Sequence, residues 1–380
     1  MLKSKRKVAI VVDSFTMHGR ELLSGIGDYV QENNQWQTRY VEYSLQSEPP
    51  AWLASWKGDG IIVRDAQGHC CEAALATGAA VVDLSVRRRC GTPTVVSDHP
   101  MSVRLALKHL RERGYKHLGF VGVSGTSFSA ERKQAFLEQT GETRHVFELD
   151  SGNMTIYPWK MVPGKLEKWL ANLPKPIGLF TAFDPIGVYV LEACAARKIP
   201  VPDAVGVLGC NNDEVQCKLA KPSLSSVIIN SHSIGYHACL LLDELMEGKP
   251  APQPPTVVPV LGVAARQSTD ALFLADSLVV RALRFIRENA ILGIDIEQVA
   301  RHCGVSSRTL ERRFQQATGT SPVQELTQVR IRHAEELLRH SNLIIDAVAS
   351  RSGFDSVSHF SMVFKKKTGL SPGEFRKQFG

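Results

Sequence analysis

Apolar residues follow two rhythms along this chain. Through the first 265 residues, short apolar runs alternate with stretches whose apolar positions recur every three or four residues. Runs at 8–12, 60–63, 80–84, 118–123, 177–181 and 205–209 predict buried strands. Helical spacing at 20–33, 72–77, 99–113, 130–139, 185–197 and 234–247 predicts the covering helices, with Leu22, Leu23, Ile26 and Val30 on one stripe of the first. Gly114 and Gly248 stand where a helix commonly ends. Strand–helix alternation over this length predicts a mostly parallel sheet flanked by helices, arranged as two such units.

From residue 278 onward the strand rhythm stops and only helical spacing remains. Helices are predicted at 278–289, 296–303, 307–317, 322–340, 345–351 and 356–368. The stretch also repeats itself: Phe314, Thr318, Gly319, Ser321 and Pro322 return fifty positions later as Phe364, Thr368, Gly369, Ser371 and Pro372. A repeat at this period is a duplicated supersecondary unit. Asp295 with Gln298, Ser321 with Gln324, and Ser371 with Glu374 form capping-box patterns at helix starts. Each copy reads as helix, Gly turn, helix, about 296–317 and 345–368, the shape of a helix-turn-helix. The expected organisation is a two-lobed domain at 1–269, a linker at 270–277 and a helical domain at 278–380.

Charge sharpens this division. Of the net +7, residues 276–380 contribute 16 Lys+Arg against 11 Asp+Glu, and the other 275 residues 29 against 27. The excess gathered in the helical part points to a polyanionic partner. In the second helix of the first copy, Arg308, Glu311 and Arg312 share one face while Leu310 and Phe314 turn to the core. Either Arg can pair with guanine in a major groove, and Arg313 is placed on phosphate. In the second copy, Phe360 and Phe364 are core. Val357, Ser358, His359 and Met362 are left outside, and Lys365, Lys366 and Lys367 face phosphate. That helix lacks a strong base reader and is expected to position more than to read.

Other features mainly exclude. The eight cysteines are scattered without a Cys-x-x-Cys pair and sit in apolar stretches, as small hydrophobes of a reducing compartment do. His69-Cys70-Cys71 lacks a second ligand cluster, so no metal and no cofactor is expected. The basic N-terminus precedes too short an apolar run for a signal peptide, and no stretch is long enough to cross a membrane. A cytoplasmic protein is expected. Gly-x-Ser-x-Gly, Walker A and Gly-x-Gly-x-x-Gly runs are missing.

In sheets of this kind, ligands bind beyond the carboxyl ends of the strands. Those ends carry Asp13, Ser14 and Phe15, then Arg64 and Asp65, Ser85, Phe183 and Asp184, and Asn211 to Glu214. Arg132 lies in the helix after Val123. Carboxylates, amides, a guanidinium and aromatic faces suit a polyhydroxylated small molecule. The candidate effector contacts are Phe15, Asp65, Arg132, Asp184 and Asn211. Two other readings stay open. Asp65 and Asp184 could form a carboxylate pair for glycoside chemistry, or the chain could be a sugar-binding protein with a basic accessory tail.

Three segments carry a family resemblance: Val96 to Gly114, Phe183 to Gly209, and Ala265 to Thr269. They resemble the effector domain of LacI-type repressors and related periplasmic sugar-binding proteins, over roughly residues 7–269. The resemblance implies two α/β lobes with ligand between them, and places Arg132 and Asp184 as second-lobe contacts. Asn211 stands where that family usually has Asp. LacI-type chains begin with a helix-turn-helix, whereas this one begins at a strand. The tail, through Leu310, Phe314, Gly319, Arg330, Arg332, Gly353, Phe354, His359, Phe360, Phe364, Ser371 and Pro372, resembles the DNA-binding domain of AraC-family transcription factors. That resemblance maps base contacts onto Arg308, Glu311, Arg312, Val357, Ser358 and Met362. Together the two imply a fold of an α/β two-lobed periplasmic-binding-protein-like domain followed by an all-α domain with two helix-turn-helix units. They imply a sugar-responsive activator that binds double-stranded operator DNA, with a pentose such as xylose as effector, a homodimer, and RNA polymerase as a further partner.

Overall fold

The computed structural model describes residues 5–42, 44, 48–64, 69–85, 91–150, 164–271, 276–341 and 343–379. It divides into two compact units, Met1–Ala271 and Leu272–Gly380.

The first unit holds two main sheets, the first parallel and the second parallel except for its last strand, which runs antiparallel, and a separate two-stranded sheet. In the first lobe the strand order is β2 (Trp36–Tyr40), β1 (Arg6–Val11), β3 (Gly60–Val63), β4 (Ala80–Asp83). Helices α1 (Met17–Asn33), α2 (His69–Leu75) and α8 (Ser231–Met246) cover it. In the second lobe the order is β12 (Gly262–Ala264), β10 (Ser225–Ile228), β9 (Val205–Cys210), β8 (Ile177–Thr181), β6 (His117–Val123), β7 (Val146–Leu149). Around it lie α3 (His99–Glu112), α4 (Ser127–Thr140), α5 (Lys165–Asn172), α6 (Asp184–Ala196) and α7 (Glu214–Leu219). β5 (Val95–Ser97) and β11 (Thr256–Val258) pair with each other in parallel, and Asp83 bridges to Thr94 beside them. The chain therefore passes between the lobes three times: at Asp98, at Ile229–Asn230 and at 259–261. Two of these passages are fixed by caps, Asp98 accepting from Met101 N at 2.7 Å and Asn230 from Ser233 N at 3.3 Å.

Each lobe is closed by burial of what the pattern marked as apolar. Ile62, Val82, Leu22 and Leu242 are fully buried in the first, Phe120, Phe136, Phe180 and Leu208 in the second. Helices α1 and α8 approach so closely that a Cβ on Gly25 would meet His232 O at 1.9 Å, and one on Gly235 would meet Leu22 O at 2.1 Å. Behind that crossing, Asp243 accepts from Tyr29 Oη, from Trp36 Nε1 at 2.9 Å and from Arg6 Nη1 at 2.9 Å, tying β1, α1, β2 and α8 together. The seven described cysteines are buried, and Cys70 and Cys71 belong to the first-lobe core. No cluster of metal-binding side chains occurs among the described residues.

Strands β2, β5, β7 and β10–β12 and helices α5 and α7 escaped the sequence pattern for physical reasons. β2 is an edge strand with four exposed positions, and β7 an edge strand with only Leu149 buried. β5, β11 and β12 are three residues each. β10 opens with two serines that look polar but are buried, Ser225 bonding Thr269 Oγ1 at 2.7 Å and Ser226 bonding Asp184 at 2.5 Å.

The second unit is helical: α9 (Ser277–Asn289), α10 (Ile296–His302), α11 (Ser307–Thr318), α12 (Pro322–His340), α13 (Ile345–Arg351), α14 (Val357–Thr368) and α15 (Pro372–Phe379). All three capping boxes form: Asp295 with Gln298, Ser321 with Gln324, and Ser371 with Glu374. The turns after α10 and α13 use Gly304 at φ 70° and Gly353 at φ 80°. Leu283, Ile286, Leu310 and Phe314 form one core, and Ala334, Leu338, Phe360 and Phe364 another. No described helix is long and apolar enough to cross a membrane.

Candidate functional site

In the first unit the strand ends bring charged groups of both lobes to one place. From the first lobe, Asp13 follows β1, only 1% exposed, and pairs with Arg64 at the end of β3. Asp13 also accepts from Thr16, which caps α1. A Cβ on Gly19 would strike the Asp13 backbone carbonyl at 2.0 Å and its carboxylate Oδ2 at 2.6 Å, so the first turn of α1 seats directly on this residue. On that turn His18 bonds Ser231 Oγ at 2.6 Å, where the chain has just re-entered the first lobe. From the second lobe, Arg132 on α4 is 3% exposed. Its Nε donates to His99 Nδ1 at 3.2 Å, its Nη1 to the Ala182 carbonyl, and its Nη2 to Asn211 Oδ1 at 3.3 Å. Its guanidinium lies 5.7 Å from the Phe128 ring centre, and Phe128 meets Phe183 edge-on at 5.4 Å.

The lobes sense each other electrostatically. His18 is held well below the usual histidine range by burial, then by Arg64, Arg132 and His99, so residues of both lobes act on one imidazole. Burial and then Arg132 hold His99 down in the same way. Both rings are therefore neutral. The loop after β9 is unusual: Asn211 (φ 103°) and Asn212 (φ 57°) are both left-handed, which Asn tolerates better than most residues. The loop is anchored by Arg266 donating to Asn212 Oδ1 at 2.8 Å and by Ser226 accepting from Asn212 N at 3.0 Å.

Among the sequence candidates, Arg132 and Asn211 meet in this cleft. Phe15 is 62% exposed on the loop leading into α1. Asp184 sits differently from its expected role. It is wholly enclosed at the start of α6, accepting from Ser226 Oγ at 2.5 Å and Asp213 N at 2.7 Å, a brace beneath the 211–214 loop rather than an open contact. Burial pushes its carboxyl up to about 7, partly opposed by those two bonds. Asp65 lies outside the described residues, so the imagined Asp65–Asp184 pair has no geometry here. His18 and His99 were not singled out, and Arg64 was noted at a strand end but not carried as an effector contact. Their signal was positional: each follows a strand or passage between lobes by a few residues, where ligands gather.

In the second unit Arg308, Glu311 and Arg312 are exposed on α11, and Ser358, His359, Met362 and Lys365 on α14, with Met362 63% exposed. Two expectations need correction. Arg313 is not free for phosphate. Its Nε donates to Asp276 Oδ2 at 2.6 Å and its Nη2 to Asp276 Oδ1 at 2.5 Å, a two-pronged pair joining α11 to the cap of α9. Val357 is not left outside, because it packs against the second core. His359 leans edge-on against Phe354 with centroids 6.0 Å apart. Arg330 was noted only as part of a pattern, yet it links the copies. From α12, its Nε donates to Ala290 O at 2.9 Å and its Nη2 to Ile294 O at 2.7 Å, and its guanidinium covers the Phe354 ring.

A two-lobed α/β unit with charged groups at its strand ends, joined to paired helix-turn-helix units with exposed basic helices, is the build of a ligand-responsive transcription regulator. Comparison with known proteins gives the same class. Residues 107–269 match a periplasmic binding protein-like domain and residues 299–378 a helix-turn-helix domain of the AraC type. The chain is similar from end to end to the xylose operon regulatory protein of Escherichia coli (strain K12), 28% identical over 99% of this chain and 98% of the relative. The protein of that name from Haemophilus influenzae is 29% identical over 99% of both. The solved structure of the xylose-binding transcription activator xylR covers 100% of this chain and 99% of its own, at TM-score 0.76 and 26% identity. A cellobiose complex of the regulator CelR shares the fold of the first unit, at TM-score 0.56 over 70% of this chain. The chain is a transcriptional regulator, not an enzyme.

Proposed function

We propose that this protein senses a pentose-sized sugar, xylose foremost, between the lobes of its first unit and converts that binding into activation at operator DNA. The observation that carries the reading is the gathering of Asp13, Arg64, His18, His99, Arg132 and Asn211 from both lobes at facing strand ends. Hydroxyls of a sugar present donors and acceptors to such groups, and Phe15 offers a ring at the loop before α1. Asp184 acts indirectly, by fixing the loop that carries Asn211. Asp65 keeps its place as a strand-end candidate from the sequence. Binding closes the lobes because each lobe supplies part of one set of contacts.

The second unit reads duplex DNA. Arg308, Glu311 and Arg312 enter one major groove and Ser358, His359 and Met362 the next, with Lys365 on phosphate. A homodimer acting in the cytoplasm and recruiting RNA polymerase completes the reading. End-to-end similarity to regulators named for xylose supports the pentose. The test is a thermal-shift screen of the full chain against monosaccharides and their acids. Ligand at a hundredfold over Kd adds about 2.7 kcal/mol to stability. Absence of any shift across the panel refutes the sensor. For the reader, Arg312→Ala should relax preference at one base pair, a loss of about 1–3 kcal/mol of discrimination. An unchanged profile in a randomised-site selection removes Arg312 from base contact.

A further inference from the structure

Arg132 is a buried cation whose hydrogen-bond acceptors are all neutral. An arginine this deep is almost always paired, because a desolvated charge without a counter-charge is costly. Its three hydrogen-bond acceptors are an imidazole nitrogen, a backbone carbonyl and an amide oxygen, and its flat face meets a phenyl ring. No carboxylate lies within 4.0 Å of it among the described residues, although Arg64 nearby is paired with Asp13. The acid expected to help, Asp184, has both oxygens committed to Ser226 and the Asp213 amide.

His99 extends the imbalance. Since Arg132 Nε–H donates to its Nδ1, the proton of the neutral ring sits on Nε2. That Nε2–H is buried and has no acceptor in hydrogen-bond reach, the Glu131 carboxylate being 4.0 Å away. Among the described residues, the cleft thus offers a guanidinium without a counter-ion and a buried donor without an acceptor, and the side chain beside them, Asn211, is an amide. A neutral hydroxyl leaves the charge of Arg132 uncompensated. A carboxylate satisfies both groups.

We infer that the effector is a sugar acid, a pentose-sized aldonate or uronate whose carboxylate pairs with Arg132 in the second lobe. This rests on the sugar-sensing reading and moves its ligand from the neutral pentose to the acid of a sugar that size. The polyhydroxy part of the ligand then faces Asp13, Arg64 and His18 in the first lobe.

The test compares D-xylose, D-xylonate and D-galacturonate by calorimetry on the full chain and on Asn211→Asp. Asp tolerates a left-handed backbone as Asn does, so the loop after β9 is kept. In the wild type, one of the acids should bind at least tenfold more tightly than xylose, with a preference that weakens as salt rises. In Asn211→Asp the new carboxylate supplies Arg132 with an internal partner, so the acid-to-xylose ratio should fall at least tenfold. Equal or tighter binding of xylose by the wild type overturns the inference and leaves the sugar-sensing reading standing. A ratio unchanged by Asn211→Asp overturns it too, since the acid would then bind away from Arg132. If neither sugars nor acids bind, the sensing reading falls and this inference with it.

Discussion

At the scale of single residues, the chemistry of this protein is set by which charges are enclosed. Asp184 shows it most directly. Burial raises its carboxyl to about 7 from an ordinary value near 4, so between those values the folded protein holds a proton that the unfolded chain has released. Stability from this group is present at low pH and declines as pH climbs toward 7. Asp184→Asn removes the titration, so its melting temperature relative to wild type should rise between pH 5 and pH 8. A difference that stays flat across that range would show that the carboxyl is not perturbed in this way. The sequence placed Asp184 just after a strand and Arg132 in the helix that follows Val123, but did not show what each does there. One serine, Ser226, lying 42 positions away, decides that Asp184 is a brace, and no local pattern announces such a partner. Arg313 was misplaced for the same reason, its carboxylate partner being 37 positions earlier.

Whole elements were more legible, because burial leaves a periodic trace. Strands β3 and β8 and helices α12 and α13 fall where the pattern placed them, and the duplicated caps form as their spacing demands. What was lost were mostly exposed edge strands and three-residue strands too short to show a period, together with β10, whose buried serines read as polar. Between elements, the link with the most consequence is Arg330. It takes two carbonyls at the end of the first copy's supporting helix and lies on Phe354 of the second. Gly353 is left-handed, and a Cβ there would come within 2.5 Å of Ala290 O, so the contact tolerates little. Arg330→Met should leave both cores intact. It strands two carbonyls at about 1–3 kcal/mol each and loosens the phase between α11 and α14. In a selection with variable spacing between the two contacted DNA segments, the variant should accept a broader range than wild type. An unaltered spacing optimum would exclude this role.

At the scale of the molecule, the two units differ in how they depend on the chain. The second is contiguous, has its own two cores and caps most of its helix starts with a side chain, α13 being an exception. A fragment spanning 270–380 should therefore fold and retain salt-dependent duplex binding without the sensor. A gel shift at low salt showing no affinity for a selected site would contradict this. The charge of residues 276–380, +5 of the total +7, leads the same way. The division into an α/β part and a helical part was visible in the change of apolar rhythm near residue 278, since nothing but a change of architecture alters that period.

The three passages between lobes impose an order on synthesis. The first lobe's sheet is complete by residue 83, but α8, the covering helix that packs on β3 and β4, and the strand β11 emerge only after nearly all of the second lobe has been made. Until then Ile62 and Val82 have no lid. A ribosome extending this chain thus carries an open, greasy sheet for more than a hundred codons, and the nascent sensor is exposed to chaperones in a way its late-emerging, self-contained reader is not.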